Sequence, residues 1–438
     1  MDKKLSLSQL VWIGTGHVIG AGVVSIVGSA LAVTGFSVWL AFAFTCIFSF
    51  IRVLPFVFFT SAIQSEGGKY AIITGCAGEK YGGLITISSL LSWAARGTAV
   101  LALSGYVSDF IPGAPGKLVA TGVWALFCFA NLFGVNAMSR IQNLATPLLL
   151  AALTVFSIVC ALNIQPGYLD FSSPYMFLNG KEGFMAAVVL LSYSCDGVAS
   201  LANYMPYAEN PKRNIPRAII AVSAVISVMY IAVGFASGAV LPLSETAGKT
   251  LAVTAKAVFY PAFYGLFILF GPVFALLTTM NAGIIDSAAP VMAGVKDGWL
   301  PAFLARQNRY GAYYVAVAVI FVIGCIPTVF GFSISQIAGI TMVLNSMAAV
   351  LLIISCVNFP FVYKKEWEAS EMYIPPIIYF PLIFLCAVME LFVVILALKE
   401  LTAPMAIANG ILLAVRFIYG SARNKSRKKN NVQNKKAV

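Results

Sequence analysis

The sequence predicts an all-α polytopic membrane protein. Three observations carry this: 60% of the 438 residues are hydrophobic; 10% are charged, against about 25% in a soluble domain; and the apolar residues gather into runs of the ~20 needed to cross a bilayer. Twelve runs can be placed. They are Leu10–Thr34, Ser37–Ala62, Leu84–Phe110, Leu118–Val135, Ile141–Ala161, Phe184–Pro206, Ala218–Leu241, Phe259–Ala293, Tyr313–Phe330, Ile334–Val362, Ile374–Leu398 and Pro404–Tyr419.

An even number of spans puts both termini on one side, and the basic residues choose which. Lys69, Lys80, Arg140, Lys212, Arg213, Arg217, Lys296, Arg306, Arg309, Lys364 and Lys365 share a side with Lys3, Lys4 and the tail from Arg423. The other side carries only Lys117, Lys181, Lys249, Lys256 and Lys399. Both termini are therefore expected in the cytoplasm of a multi-pass protein of the cell (inner) membrane. The net charge of +12 reads as this asymmetry, with anionic headgroups as its partner, and not as a nucleic-acid surface. No signal peptide is expected, because Met1-Asp2-Lys3-Lys4 leads into a segment too long for one and without a cleavage site. The eight cysteines show no metal-ligand spacing and imply no disulfide framework.

The first span contains Gly14-Thr15-Gly16-His17-Val18-Ile19-Gly20-Ala21-Gly22. Each glycine lowers helix stability by roughly 1 kcal/mol relative to alanine, and no water in hydrocarbon replaces a lost backbone partner. The run fits a helix broken to present N–H and C=O groups to a ligand, or a close helix crossing. The sixth span is interrupted at Leu191-Ser192-Tyr193-Ser194-Cys195-Asp196-Gly197-Val198. Breaks five spans apart suit two inverted five-helix repeats, 10–161 and 184–362. Helices eleven and twelve follow at 374–419, with cytoplasmic ends 1–9 and 420–438.

Half-helix N-termini favour a carboxylate, and freed carbonyls suit an ammonium. Two facing breaks would hold both ends of an amino-acid zwitterion. Intramembrane ionisable residues are candidates because a desolvated charge is costly: His17, Arg52, Arg96, Asp196, Asp286 and Glu390. His17 is the only histidine, a substrate contact or protonation switch, or a packing residue. Asp196 could meet an ammonium, take a proton or cap a half-helix. Arg96 could pair with Asp196 or Asp286, or meet a substrate carboxylate; Arg52 and Glu390 receive no role. Thr278 and Thr279 could coordinate Na⁺ or bond their own helix. No metal motif, P-loop or nucleophile elbow appears, so no enzyme chemistry is expected. No cofactor is expected beyond a coupling H⁺ or Na⁺.

On these residues the chain resembles the amino acid–polyamine–organocation (APC) transporter superfamily. Gly14–Val23 looks like its first-helix signature, and Tyr193-Ser194-Cys195-Asp196-Gly197 like its sixth-helix break. The segment Glu209-Asn210-Pro211-Lys212-Arg213-Asn214-Ile215-Pro216-Arg217 is similar to the stretch that follows. Glu66-Gly67-Gly68-Lys69-Tyr70 and Lys296-Asp297-Gly298-Trp299-Leu300-Pro301 match two further cytoplasmic patterns. The resemblance implies alternating access and a small amine-bearing substrate, moved by a monomer or homodimer in lipid. It implies a substrate carboxylate on the N–H groups of Ala21, Gly22 and Val23. The ammonium would meet the carbonyls of Val18, Tyr193 and Asp196 beside Gly197, with Tyr193 as the gate. A lysine common in the fifth span of relatives is matched by Leu149 here. Coupling by His17, Asp196 or Thr278/Thr279, exchange and facilitated diffusion all stay open. So do a polyamine or cationic amino-acid carrier, and a non-transporting sensor on the same fold.

Overall fold

The computed structural model describes residues 4–20, 22–111, 113–195, 197–399 and 403–436. All regular elements among them are helical, apart from an isolated parallel bridge between Leu5 and Ala208. The first half comprises α1 (Leu7–Val18), α2 (Val27–Thr34), α3 (Val38–Ala62), α4 (Lys69–Ala77), α5 (Gly82–Leu91), α6 (Gly97–Phe110), α7 (Gly116–Asn131) and α8 (Val135–Leu162). Then come α9 (Gly180–Cys195), α10 (Pro211–Ala239), α11 (Leu243–Thr246), α12 (Leu251–Val258), α13 (Pro261–Ile268) and α14 (Phe274–Lys296). The last are α15 (Tyr314–Phe330), α16 (Ile334–Val357), α17 (Phe359–Val362), α18 (Lys364–Glu368), α19 (Pro376–Lys399) and α20 (Ala403–Lys436).

Among the described residues, eight helical stretches are long and apolar enough to cross a membrane. Three shorter apolar helices, Gly116–Asn131, Tyr314–Phe330 and Ala348–Val357, accompany them. The chain is thus an all-α, multi-pass membrane protein. The first stretch, Leu7–Ala62, has 56 residues, about 84 Å if straight at 1.5 Å per residue. That far exceeds a hydrocarbon core of about 30 Å. It is interrupted after Val18 and again at Gly35, whose φ of 73° ends α2. The segment after α3 folds as α4 and a 3-10 turn at Glu79–Tyr81, and the 241–258 segment holds α11 and α12.

Ser6 starts α1 with a capping box, its hydroxyl accepting from the Gln9 N–H while the Gln9 side chain accepts from the Ser6 N–H. From there α1 runs between α8, α10 and α14. Its glycines allow the close approach. A Cβ on Gly14 would stand 2.9 Å from the Leu201 and Val222 side chains, and one on Gly16 would collide with Gln142 and Thr146. Thr146, whose hydroxyl donates to the Trp12 carbonyl at 3.1 Å, and Gln142 are the α8 side chains that meet α1 there. Leu149 is fully buried one turn further along. Behind them Asn281 donates to the Met138 carbonyl and to Gln142 Oε1, both at 3.0 Å. Such neutral polar groups hold helices together where burial of apolar surface cannot.

The two ends of the bundle are tied differently. At one, the 163–179 segment caps the α2–α3 junction: Phe36 and Ser37 N–H donate to the Tyr175 and Met176 carbonyls at 2.9 and 2.8 Å. Gly248 N–H donates to the Gly28 carbonyl at 2.8 Å. At the other, Glu66 pairs with Lys296, and the Tyr70 hydroxyl donates to Asp297 at 2.5 Å.

Candidate functional site: two interrupted helices around one cavity

The first interruption begins at Ile19, which is extended (φ −73°, ψ 97°) after its N–H closes the last turn onto the Thr15 carbonyl at 3.0 Å. The chain resumes as a π turn, Gly22–Ile26, in which Val23 is fully buried. The glycine run therefore divides its labour. Gly14 and Gly16 serve helix crossing, while Gly20 and Gly22 flank the break. The second interruption follows Cys195, where α9 ends. Gly197 takes φ 113°, a conformation that side-chain-bearing residues rarely adopt, and a 3-10 helix follows at Val198–Tyr207. The expected contributions of Ala21 and Asp196 fall outside the described residues.

The breaks meet. A Cβ on Gly22 would stand 2.6 Å from the Ser194 Cα, and one on Gly197 would lie 3.5 Å from His17 Cδ2. The Tyr230 hydroxyl of α10 lies 2.9 Å from the Val18 carbonyl and 2.9 Å from the Ser194 carbonyl. With one proton, it donates to one of them at a time. It thus shares the Val18 carbonyl that an ammonium was expected to meet. Thr279 brings its hydroxyl to 3.2 Å from the His17 carbonyl and 3.3 Å from that of Ile19. Thr278 does not join it. Its hydroxyl bonds the Phe274 and Ala275 carbonyls of its own helix at 2.8 and 3.0 Å, the usual habit of membrane threonines.

Three of the ionisable candidates converge beside the breaks. His17 Nε2 is 3.5 Å and Arg96 Nη2 3.9 Å from Asp286 Oδ2, while Asn203 Nδ2 donates to Asp286 Oδ1 at 2.8 Å. Arg96 closes a 3-10 turn, Ser92–Arg96, that interrupts the third span between α5 and α6. The Trp93 indole N–H pins this turn to α14 through the Ser287 carbonyl at 2.9 Å. The Tyr193 hydroxyl is 3.2 Å from that of Thr98.

A cavity of about 300 Å³ joins these parts, at the lower end of the size that suits small-molecule sites. His17, Val18, Gly22, Tyr193 and Gly197 line it, together with Arg96, Thr279 and Asp286. It extends toward Lys69 and toward Arg52 and Glu390, which pair at 2.5 Å between α3 and α19. Sequence reasoning missed Ser194, Ser200, Asn203 and Tyr230. Neutral polar residues are common in membrane helices, and the signal that could have found the first three is their position within one or two turns of a break.

The fold and site define an all-α, multi-pass membrane protein with a cavity bordered by two interrupted helices and by the His17, Arg96 and Asp286 side chains. The sequence profile of the amino acid permease family matches residues 5–417, and the chain belongs to that family. It is 30% identical over 322 residues to an uncharacterized protein of Methanocaldococcus jannaschii, covering 70% of this chain and 72% of that one. A methylthioribose transporter of Bacillus subtilis is 25% identical over 329 residues, 70% of each chain. The branched-chain amino acid permease BcaP of the same organism is 21% identical over 342 residues, 72% of each. Membership supports transport rather than catalysis. Family and fold are consistent with a secondary transporter of small polar or amino-acid-like molecules.

Proposed function

We propose that the chain carries amino acids across the cell membrane by alternating access, holding the zwitterion between the breaks of its first and sixth spans. One observation carries this reading: both breaks border a single cavity, with the Tyr230 hydroxyl 2.9 Å from a carbonyl of each. In this reading the N–H groups of Gly22 and Val23 receive the carboxylate, and the carbonyls of Val18 and Tyr193 receive the ammonium. Tyr193 covers the ligand. The chain crosses the membrane twelve times as two inverted five-helix repeats plus two helices, with both termini in the cytoplasm. The His17–Asp286 contact is the place where a coupling proton would be held. The Thr279 hydroxyl, among freed carbonyls, is where Na⁺ would bind. Closure needs only that substrate shift two states a few kcal/mol apart.

The test is uptake of labelled amino acids and polyamines by the purified protein in liposomes. Each is run with and without internal substrate, a pH gradient and a Na⁺ gradient. Flux of amino acids is the expected result. Flux of polyamines alone, or binding without flux under every condition, would refute it.

A further inference from the structure

The polar groups beside the breaks are unequally supplied. Asp286 receives Asn203 at 2.8 Å and has His17 at 3.5 Å. Arg96 is the opposite case. Among the described residues, its guanidinium makes no hydrogen bond; the Asp286 carboxylate stands off at 3.9 Å, and the buried Nε has no partner. A guanidinium carries five N–H donors in a plane matched to a carboxylate. Held in a cavity wall and loosely paired with Asp286 at 3.9 Å, it keeps donors available to a second carboxylate.

Its position is built. The 3-10 turn that ends at Arg96 is anchored by Trp93 on the Ser287 carbonyl. Room for the guanidinium depends on Gly283, since a Cβ there would collide with Nη1. Around the same cavity the buried Ser194 and Ser200 hydroxyls and Asn203 Oδ1 have no partner among the described residues.

Resting on the amino-acid reading above, we infer that the substrate bears a carboxylate on its side chain, and that Arg96 selects it. The backbone breaks take the α-amino and α-carboxylate groups, and Arg96 takes the second carboxylate in a paired, charge-assisted contact. An apolar side chain would strip water from the guanidinium and return no acceptor. A cationic one would face Arg96 and find Asp286 already supplied.

The experiment is direct uptake of labelled glutamate, aspartate, glutamine, leucine, arginine and spermidine by the wild-type protein in liposomes, followed by the same panel on Arg96→Gln and Gly283→Ala. The wild type is expected to prefer glutamate over glutamine by at least about tenfold, the worth of a hydrogen bond to a charged group. Arg96→Gln is expected to reverse that ratio. Gly283→Ala, which crowds the guanidinium from behind, is expected to reduce it. The wild-type ratio decides the matter even if both variants fail to fold. Faster uptake of leucine, glutamine or arginine than of glutamate would overturn the inference while amino-acid transport stood. Uptake of no amino acid would overturn both.

Discussion

Replacing Gly22 by alanine tests whether the contact between the two breaks is a fitted surface. The new Cβ would stand 2.6 Å from Ser194 Cα and 2.6 Å from its Oγ, where ordinary contact begins near 3.4 Å. The Oγ can rotate away, but the Cα belongs to the backbone. The end of α9 must therefore retreat by about 0.8 Å. Overpacking of this kind costs about 1–3 kcal/mol, and each 1.4 kcal/mol that falls on the bound state weakens affinity about tenfold. The assay is concentration-dependent uptake in liposomes, with the amino acid that the wild type accumulates fastest, alongside thermal unfolding. Gly105→Ala in α6 is the control, because a Cβ there meets nothing within 4 Å and alanine is the better helix former. We expect Gly22→Ala to raise KM by about tenfold or more, and Gly105→Ala to leave it near the wild-type value. A Gly22→Ala protein with wild-type KM and unfolding temperature would show that the breaks do not meet as described.

Two further substitutions probe the remaining supports of the cavity. Tyr230→Phe removes the hydroxyl between the Val18 and Ser194 carbonyls, which should lower stability by about 1–3 kcal/mol and raise KM in the same uptake assay. Lost stability with an unchanged KM would assign the hydroxyl to packing alone. The Arg52–Glu390 pair, 2.5 Å apart with the Glu390 side chain 1% exposed, should behave as a unit. Arg52→Met or Glu390→Leu alone removes one member of the pair, costing about 3–5 kcal/mol, whereas the double replacement restores most of the loss. Thermal unfolding of the three variants checks this, and additive losses in the double variant would refute the coupling.

What could be read from the residues, and what could not, follows from where each feature is encoded. The breaks are local anomalies: four glycines in nine residues, or Asp196-Gly197 within an apolar run, conflict with a continuous helix wherever the chain folds. The third interruption, Ser92–Arg96, has no such mark, since Ser-Trp-Ala-Ala-Arg contains neither glycine nor proline. It is held by a contact with α14, the Trp93 indole on the Ser287 carbonyl nearly two hundred positions away. Phase is equally hidden. Thr278 and Thr279 are neighbours in sequence but point about 100° apart on a helix of 3.6 residues per turn, so one faces the break and the other its own backbone. The same reasoning separates the ionisable residues. Arg96, Asp286 and His17 were each conspicuous as ionisable groups in hydrocarbon, and pairing of Arg96 with Asp286 was one of the options, yet which pairing forms depends on the rotation of three spans about their axes. Rotation is set by small residues such as Gly16 against Gln142 and Thr146, and Gly283 against Arg96. The glycines that look like weak points in the helices therefore help set which polar groups meet, and the Arg96 guanidinium lies where position 283 has no side chain.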